Sequence, residues 1–374
     1  MPDDMSGRPV PFLDLDRQHA EMRAELLAAF ERVTNASAFI LGEEVERFEE
    51  EFATYCGVGH CVGIASGTAA LTISLLAAGI GDGDEVIVPA HTFIASALGI
   101  VHAGAVPVLC DVEDGTGLID VAAAEAATTD RTAAILAVHL YGQLCDMAAL
   151  RALAERRGLM LFEDAAQAHG ARRDGARAGA HGTAAAFSFY PSKNLGALGD
   201  AGAITTADAE LAARARRLRD LGQRERGEHV DLGFNERLDG LQAAFLRVKL
   251  PRLDEWNAQR RMRAATYAEL LDGAVRVLEV GDPEGCAYHL FPVRAWDRDG
   301  LRRRLAAAGV ETGVHYSRPL QGHHSLRERC IVTGDLANSG AWAAEELSLP
   351  LYPGLSEADI ERISAVCREH SAVR

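Results

Sequence analysis

Between residues 60 and 164 the chain alternates short apolar runs with segments of helical length, joined by links of a few residues. CVGIA (61–65), EVIVP (85–89), AVPVLCDV (105–112), AAILAVHL (133–140) and LMLFED (159–164) read as strands. Residues 66–79, 92–103 and 147–158 between them read as helices. Such alternation dictates parallel strands with right-handed crossovers, because only a helix-length crossover returns the chain to the same end of a sheet. In a sheet of this kind, ligands bind beyond the carboxyl ends of the strands. That rule singles out SGT (66–68), PAHTF (89–93), HLYGQ (139–143) and EDAAQ (163–167), which follow successive strands.

A fifth segment joins them. TAAAFSFYPSKNLGALGDAGAITT (183–206) reads as a strand with Phe187 and Phe189 at the rim of a core, a polar turn, and a second strand. Pro191, Asn194, Gly196 and Gly199 force the turn, and Lys193 sits in it. The chain has 38 Lys plus Arg, yet only two are lysines, Lys193 and Lys249. A chain that otherwise uses arginine and keeps a lysine here points to use of the amine itself. A guanidinium neutralises an anion but is no nucleophile near neutral pH.

The flanking regions read as follows. Residues 9–15 form an extended arm. Residues 16–35 form a helix with Met22, Leu26, Phe30 and Val33 on one face, and 42–56 a second helix. A helix from about 207 is followed by the polar loop 222–233 and by LDGLQAAFLRVKL, on which Lys249 is expected at the surface and which Pro251 ends or kinks. A long helix then leads to a smaller C-terminal region: a strand at 288–295, a helix in LRRRLAAAGV, a returning strand ETGVHYS (311–317), and helices at 335–347 and from Glu357. The expected domains are residues 1–250 and 251–374.

A net charge of −16 argues against nucleic-acid or anionic-membrane binding, both of which need a basic face. The seven scattered cysteines contain no CxxC pair and read as reduced thiols of a cytoplasmic protein. The N-terminus lacks an apolar core of signal-peptide length, and no apolar run is long enough to cross a membrane. GIGDGDE precedes a strand and is a turn, not a dinucleotide loop. DVEDGTGLID (111–120) lacks the ligand order of a calcium loop. His315, His323 and His324 have no accompanying zinc pattern, so no metal is expected.

A lysine that joins covalently to a carbonyl cofactor suggests pyridoxal 5′-phosphate (PLP), which also needs a phosphate cup, a carboxylate at the ring nitrogen and a flat residue on the ring face. Gly67 and Thr68 open a helix whose free N–H groups suit an anion, and Ser188 can donate to the same phosphate. Asp164 ends a strand and would keep the pyridine nitrogen protonated. Phe93 is placed to stack on the ring, and Gln167 to bond its hydroxyl.

These segments resemble the DegT/DnrJ/EryC1/StrS aminotransferases, fold-type I PLP enzymes that act on amino-sugar precursors. The likeness runs through PFLDL, LGEEVERFEEEFA, ASGTAAL, GDEVIVPAHTF, HLYGQ, EDAAQAHGA, FSFYPSKNLGALGDAGAI, GFNERLDGLQAA, GVHYSRPL and LSLPLYP. It implies an α/β fold: a large domain with a mostly parallel seven-stranded sheet between helices, and a small α+β domain. It implies Lys193 as the cofactor-binding and proton-shuttling residue, Asp164 at the pyridine nitrogen, Gln167 and Phe93 at the ring, and Gly67, Thr68 and Ser188 at the phosphate. Asn235 corresponds to the residue that reaches the phosphate from the neighbouring subunit, which implies a homodimer with shared sites. The implied reaction moves an amino group from L-glutamate or glutamine, through pyridoxamine phosphate, to a keto sugar on a nucleoside diphosphate. Tyr190, Arg224, His229, His315 and Tyr316 are the expected substrate contacts. VPFLDL and RLDGLQAAFLRVKLPRLDEWN favour amination at C3 of a 6-deoxyhexose, whereas SGTAAL, where many C3 enzymes have NGLDAL or NCLDAL, leaves C4 and keto-cyclitol amination open. A sugar dehydratase or lyase and a non-catalytic regulator are the remaining alternatives. The retained Lys193 argues against the dehydratase branch, which carries His there. Lys193, Asp164 and Gln167 together argue against a regulator.

Overall fold

The apolar runs of the first half become the strands of one sheet in a computed structural model that describes residues 8–372. In chain order these are β1 (His60–Ile64), β2 (Glu85–Pro89), β3 (Val106–Cys110), β4 (Thr132–Val138), β5 (Met160–Asp164), β6 (Ala184–Ser188) and β7 (Gly202–Thr206). Their spatial order is β1-β7-β6-β5-β4-β2-β3. Strands β2 to β6 pair in parallel, while β7 runs antiparallel to both β1 and β6. The expected seven-stranded, mostly parallel sheet is therefore present, with one addition that the sequence did not suggest. The two-residue strand Ile331–Val332 pairs with β3 at the edge.

Side chains alternate between the two faces of the sheet, as the strand period of two requires. Val62, Ile64, Ala184, Ala186 and Ile204 join one buried cluster with the crossover helices Gly67–Ala77 and Ile94–His102. Cys61, Ala185, Phe187 and Ala203 join the other, against Val45, Phe48 and Phe52 of the helix Glu43–Cys56. Phe187 and Phe189 are fully buried rather than at a rim. Their rings meet Phe52 edge-on at 5.0 and 5.2 Å. Each such buried ring contributes roughly 1.5–3 kcal/mol through its area alone, so the loop that carries Lys193 hangs from a rigid base.

A third cluster contains Ala264, Tyr267, Phe291, Val293, Leu347, Leu349, Ile360 and Ile363. It lies on a three-stranded antiparallel sheet of Arg276–Val277, Phe291–Arg294 and Glu346–Leu349. We propose residues 1–250 and 251–374 as the two domains. Backbone pairings that tie them together include Ile331–Val332 in the large sheet, Val10, which bridges Val310 and is buried in the small core, and Gln143, which bridges Cys286.

Four local expectations are corrected. The first helix breaks at Met22 into Leu15–Glu21 and Arg23–Ala36; Met22 packs with Leu26, Ala29 and Val33 against Phe245 and Trp256, leaving Phe30 exposed. ETGVHYS is not a strand: beyond one bridge from Gly313 to Ser348, the backbone N–H of His315 donates to the side chain of Glu346 instead of to a ladder. The helix expected to reach residue 347 stops at Glu345 and hands over to the strand Glu346–Leu349. Lys249 is buried, not at the surface; its Nζ donates to Gly196 O at 2.7 Å and lies 2.9 Å from His19 Nε2.

The acidic run 111–120 is committed elsewhere: Asp111 accepts from Ser339, and Asp114 pairs with Arg276 and Arg294. Among the described residues no helix is long and apolar enough to cross a membrane. The N-terminal stretch in which no apolar core of signal-peptide length is found includes residues 1–7, which lie outside the described residues.

Candidate active site

The carboxyl ends of β2, β4, β5 and β6, the turn after β1 and the loop after β6 converge on one cleft of about 340 Å³. Ser66 ends the extended segment after β1 and caps the helix Gly67–Ala77, its Oγ accepting from Ala69 N at 3.2 Å. The N–H groups of Gly67 and Thr68 belong to the first helical turn, which has no intrahelical acceptors, and both residues line the cleft. Gly67 has to be glycine, because a Cβ there would lie 2.6 Å from Ser188 Cβ. The bare backbone lets the helix start rest against the end of β6, which brings the N–H groups of Gly67 and Thr68 and the hydroxyl of Ser188 together, a donor set that suits an anion.

Asp164, at the end of β5, is 7% exposed. Its Oδ2 accepts from Ser96 Oγ at 2.7 Å and its Oδ1 from Ala166 N at 3.2 Å. Burial raises the carboxyl above the ordinary range, while these bonds and the nearby charge of Lys193 pull it back. Gln167 is fixed from both ends: Oε1 accepts from Tyr141 N at 2.6 Å, and Nε2 donates to Tyr316 OH at 3.2 Å. Phe93 caps the helix Ile94–His102 and leaves its ring open to the cleft, 5.2 Å from the ring of Tyr316.

Lys193 reaches the same cleft from the loop after β6. Asn194 holds that loop through Nδ2, which donates to Asn257 Oδ1 and Ala287 O at 2.8 Å each. Lys249 holds it through Gly196 O. Burial lowers the Lys193 ammonium to about 8, against the opposing charge of Asp164. About a tenth of the amine is thus free at pH 7, against less than a thousandth for an ordinary lysine. Tyr190, His315 and Tyr316 complete the walls.

Three expected site residues lie outside this cleft within the chain. Arg224 and His229 sit on the hairpin Gln223–Glu225/Glu228–His229. There Arg224 pairs with Glu228 at 2.5 Å, and His229 Nδ1 lies 2.8 Å from Leu221 O. Asn235 is exposed, its Oδ1 accepting from Arg237 at 2.6 Å. Conversely, the sequence reading passed over Ser96 and gave Tyr141 no role. Ser96 lies three residues after Phe93, one helical turn along the same face, and that spacing was the available signal. Tyr141 lies within HLYGQ, but its bonds to Gln167 and to His315 O form only in the fold.

Residues 20–368 match the model of the DegT/DnrJ/EryC1/StrS aminotransferase family. The chain belongs to that family. It is 48% identical over 361 residues to a Saccharopolyspora erythraea protein named erythromycin biosynthesis sensory transduction protein EryC1, covering 96% of this chain and 99% of that one. It is 47% identical over 362 residues to the dTDP-3-amino-3,4,6-trideoxy-alpha-D-glucose transaminase of Streptomyces venezuelae, covering 96% of each. The fold superposes on the crystal structure of S. venezuelae DesV in complex with a ketimine intermediate, with a TM-score of 0.94 and 45% identity over 97% of this chain and 99% of that one. This DegT/DnrJ/EryC1/StrS member is a PLP-dependent aminotransferase of the fold-type I class, and its named relatives include nucleotide-sugar transaminases.

Proposed function

We propose that the protein transfers an amino group from L-glutamate to the C3 ketone of a nucleotide-linked 6-deoxy sugar. The observation that carries this reading is the convergence of Lys193, Asp164, Gln167, Phe93 and the bare helix start Gly67–Thr68 on one cleft. The residues fit PLP: a cradle of N–H groups and a hydroxyl for its phosphate, a buried carboxylate for its ring nitrogen, an open phenyl ring for its face and a half-buried lysine for its aldehyde. When bound, the cofactor supplies an electron sink that lets an amino group pass from donor to acceptor carbon. Asp164 would pair with the ring nitrogen and hold its proton, and Gln167, held by Tyr141 and Tyr316, would bond the ring hydroxyl. Lys193, with its ammonium lowered to about 8, would take up and return the proton at its Nζ. Phe93 and Tyr316 keep water from one side. The 3-amino sugar in the S. venezuelae relative's name supports C3.

We further propose a homodimer in which Asn235 of the partner subunit completes the phosphate cradle. Asn235 is exposed on its own chain, and Leu27, Phe30 and Leu198 are 54, 46 and 41% exposed along one groove. An open apolar surface of that kind marks an interaction face. The cofactor-loaded protein, given L-[15N]glutamate and a dTDP-linked 3-keto-6-deoxy sugar, is expected to release 2-oxoglutarate and a sugar labelled at C3. A sugar labelled at C4, when the 4-keto isomer is offered instead, would overturn the regiochemistry. Release of 2-oxoglutaramate from glutamine, with no 2-oxoglutarate formed from glutamate, would overturn the donor.

A further inference from the structure

His315 faces the cleft with a buried hydroxyl and a buried carboxylate lined up behind it. Its Nδ1 lies 2.9 Å from Ser348 Oγ, and Ser348 Oγ lies 2.6 Å from Glu346 Oε1. The other carboxylate oxygen, Oε2, accepts from His315 N at 2.5 Å. Glu346 and Ser348 are both 0% exposed. Among the described residues, no hydrogen bond reaches His315 Nε2. We propose that Glu346 and Ser348 are positioning residues for His315, a relay that decides which ring nitrogen carries the proton and so whether His315 offers the sugar an acceptor or a donor. This rests on the reading of the cleft as the nucleotide-sugar site.

Proton counting gives the logic. Ser348 has one hydrogen. When Glu346 is ionised, Ser348 donates to it and must accept from His315 Nδ1–H, which leaves Nε2 bare as an acceptor. When Glu346 is protonated on Oε1, it donates to Ser348, Ser348 donates to Nδ1, and the ring proton resides on Nε2. The change takes up one proton at Glu346, while the imidazole proton exchanges from Nδ1 to Nε2 through solvent in the cleft. Burial pushes Glu346 up to about 7, against its bonds to Ser348 and His315 N and the charge of Arg298. Burial and the charge of Lys193 lower His315 to about 4, so its ring is neutral throughout this change. The other groups facing the pair are Tyr141 and Tyr316, whose hydroxyls burial holds un-ionised, His289, whose ring burial and the charge of Lys193 hold well below the usual imidazole range and so neutral, and the ring of Phe12 stacked on His315. The bare-nitrogen form is favoured beside the Lys193 cation and is assigned as the working one.

The test is 15N NMR of the imidazole in the protein loaded with pyridoxamine phosphate, in which Lys193 is unattached, from pH 5.5 to 8.5, beside the pH profile of kcat/KM for the keto-sugar half-reaction. The wild type is expected to pass from Nε2–H to Nδ1–H around pH 7, with kcat/KM rising about tenfold, the size of one hydrogen bond. Glu346→Gln keeps an acceptor for His315 N and presents its NH2 to Ser348, locking Nε2–H at every pH and flattening the profile at the lower level. Ser348→Ala uncouples the ring from Glu346, and Ser348→Thr restores the wild-type behaviour. One tautomer across the range in the wild type, or a wild-type profile in either Glu346→Gln or Ser348→Ala, overturns the relay. Failure of the wild type to release 2-oxoglutarate from glutamate counts against the proposed function instead, and leaves the tautomer reading to stand or fall by itself.

Discussion

Lys193 and Lys249 are both lowered to about 8 by burial, yet their surroundings give them different work. Lys193 opens into the cleft beside Asp164, whereas Lys249 is enclosed and donates to the carbonyl of Gly196 in the Lys193 loop. Lys193→Ala is expected to remove the visible absorbance of covalently attached cofactor and to lower turnover at least about a hundredfold. Lys193→Arg should not rescue it, because a guanidinium keeps its proton; absorbance spectra and steady-state rates check both. For Lys249 the folded value lies below the unfolded 10.5, so the unfolded chain binds the extra proton between about pH 8 and 10.5. Stability therefore rises with pH across that window. Lys249→Met, followed by thermal melts of the cofactor-loaded protein, should lose that rise. Lys193 was legible as a site residue because its loop is rich in turn formers after a strand. Lys249 was misread because its partners, Gly196 and His19, lie 53 and 230 residues away in sequence, and a helical period cannot reveal a distant carbonyl.

At the level of elements, the site depends on how closely a helix start can approach a strand end. Gly67→Ala would place a methyl 2.6 Å from Ser188 Cβ, and overpacking of that kind costs about 1–3 kcal/mol. The expected result is cofactor affinity weakened about tenfold or more with the fold retained, measured by equilibrium titration of the apoprotein and by circular dichroism. The strands and crossovers of the first half were legible because their apolar periods are unambiguous and their links short. Two stretches were not. AWAAEELSLP keeps helical spacing up to Leu347, but Glu346 and Ser348 point their side chains at His315 and pull the backbone into a strand beside Phe291–Arg294. ETGVHYS has strand-like composition, but a side-chain carboxylate takes its backbone N–H. In the candidate site, the residues at strand ends were legible. Arg224 and His229 were placed there by polarity alone, which does not distinguish a substrate contact from an arginine paired four residues along its own hairpin.

At the scale of the whole molecule, the proposed shared site needs two chains. If Asn235 serves the neighbouring site, a dimer of one Lys193→Ala chain and one Asn235→Ala chain contains one complete site. Mixing the two inactive variants after reversible dissociation should then restore about a quarter of wild-type activity, since half the dimers are mixed and each has one working site. No recovery would place Asn235 outside the shared cradle. The central claim, that this cleft exchanges an amino group at C3 of a nucleotide-linked sugar, is tested most directly by one half-reaction. The cofactor-loaded protein is mixed with a dTDP-linked 3-amino-6-deoxy sugar or its 4-amino isomer, and the visible absorbance of the bound cofactor is followed in a single turnover. The account predicts that the 3-amino sugar discharges that absorbance and the 4-amino isomer does not; discharge by the 4-amino isomer alone, or by neither sugar, would contradict it.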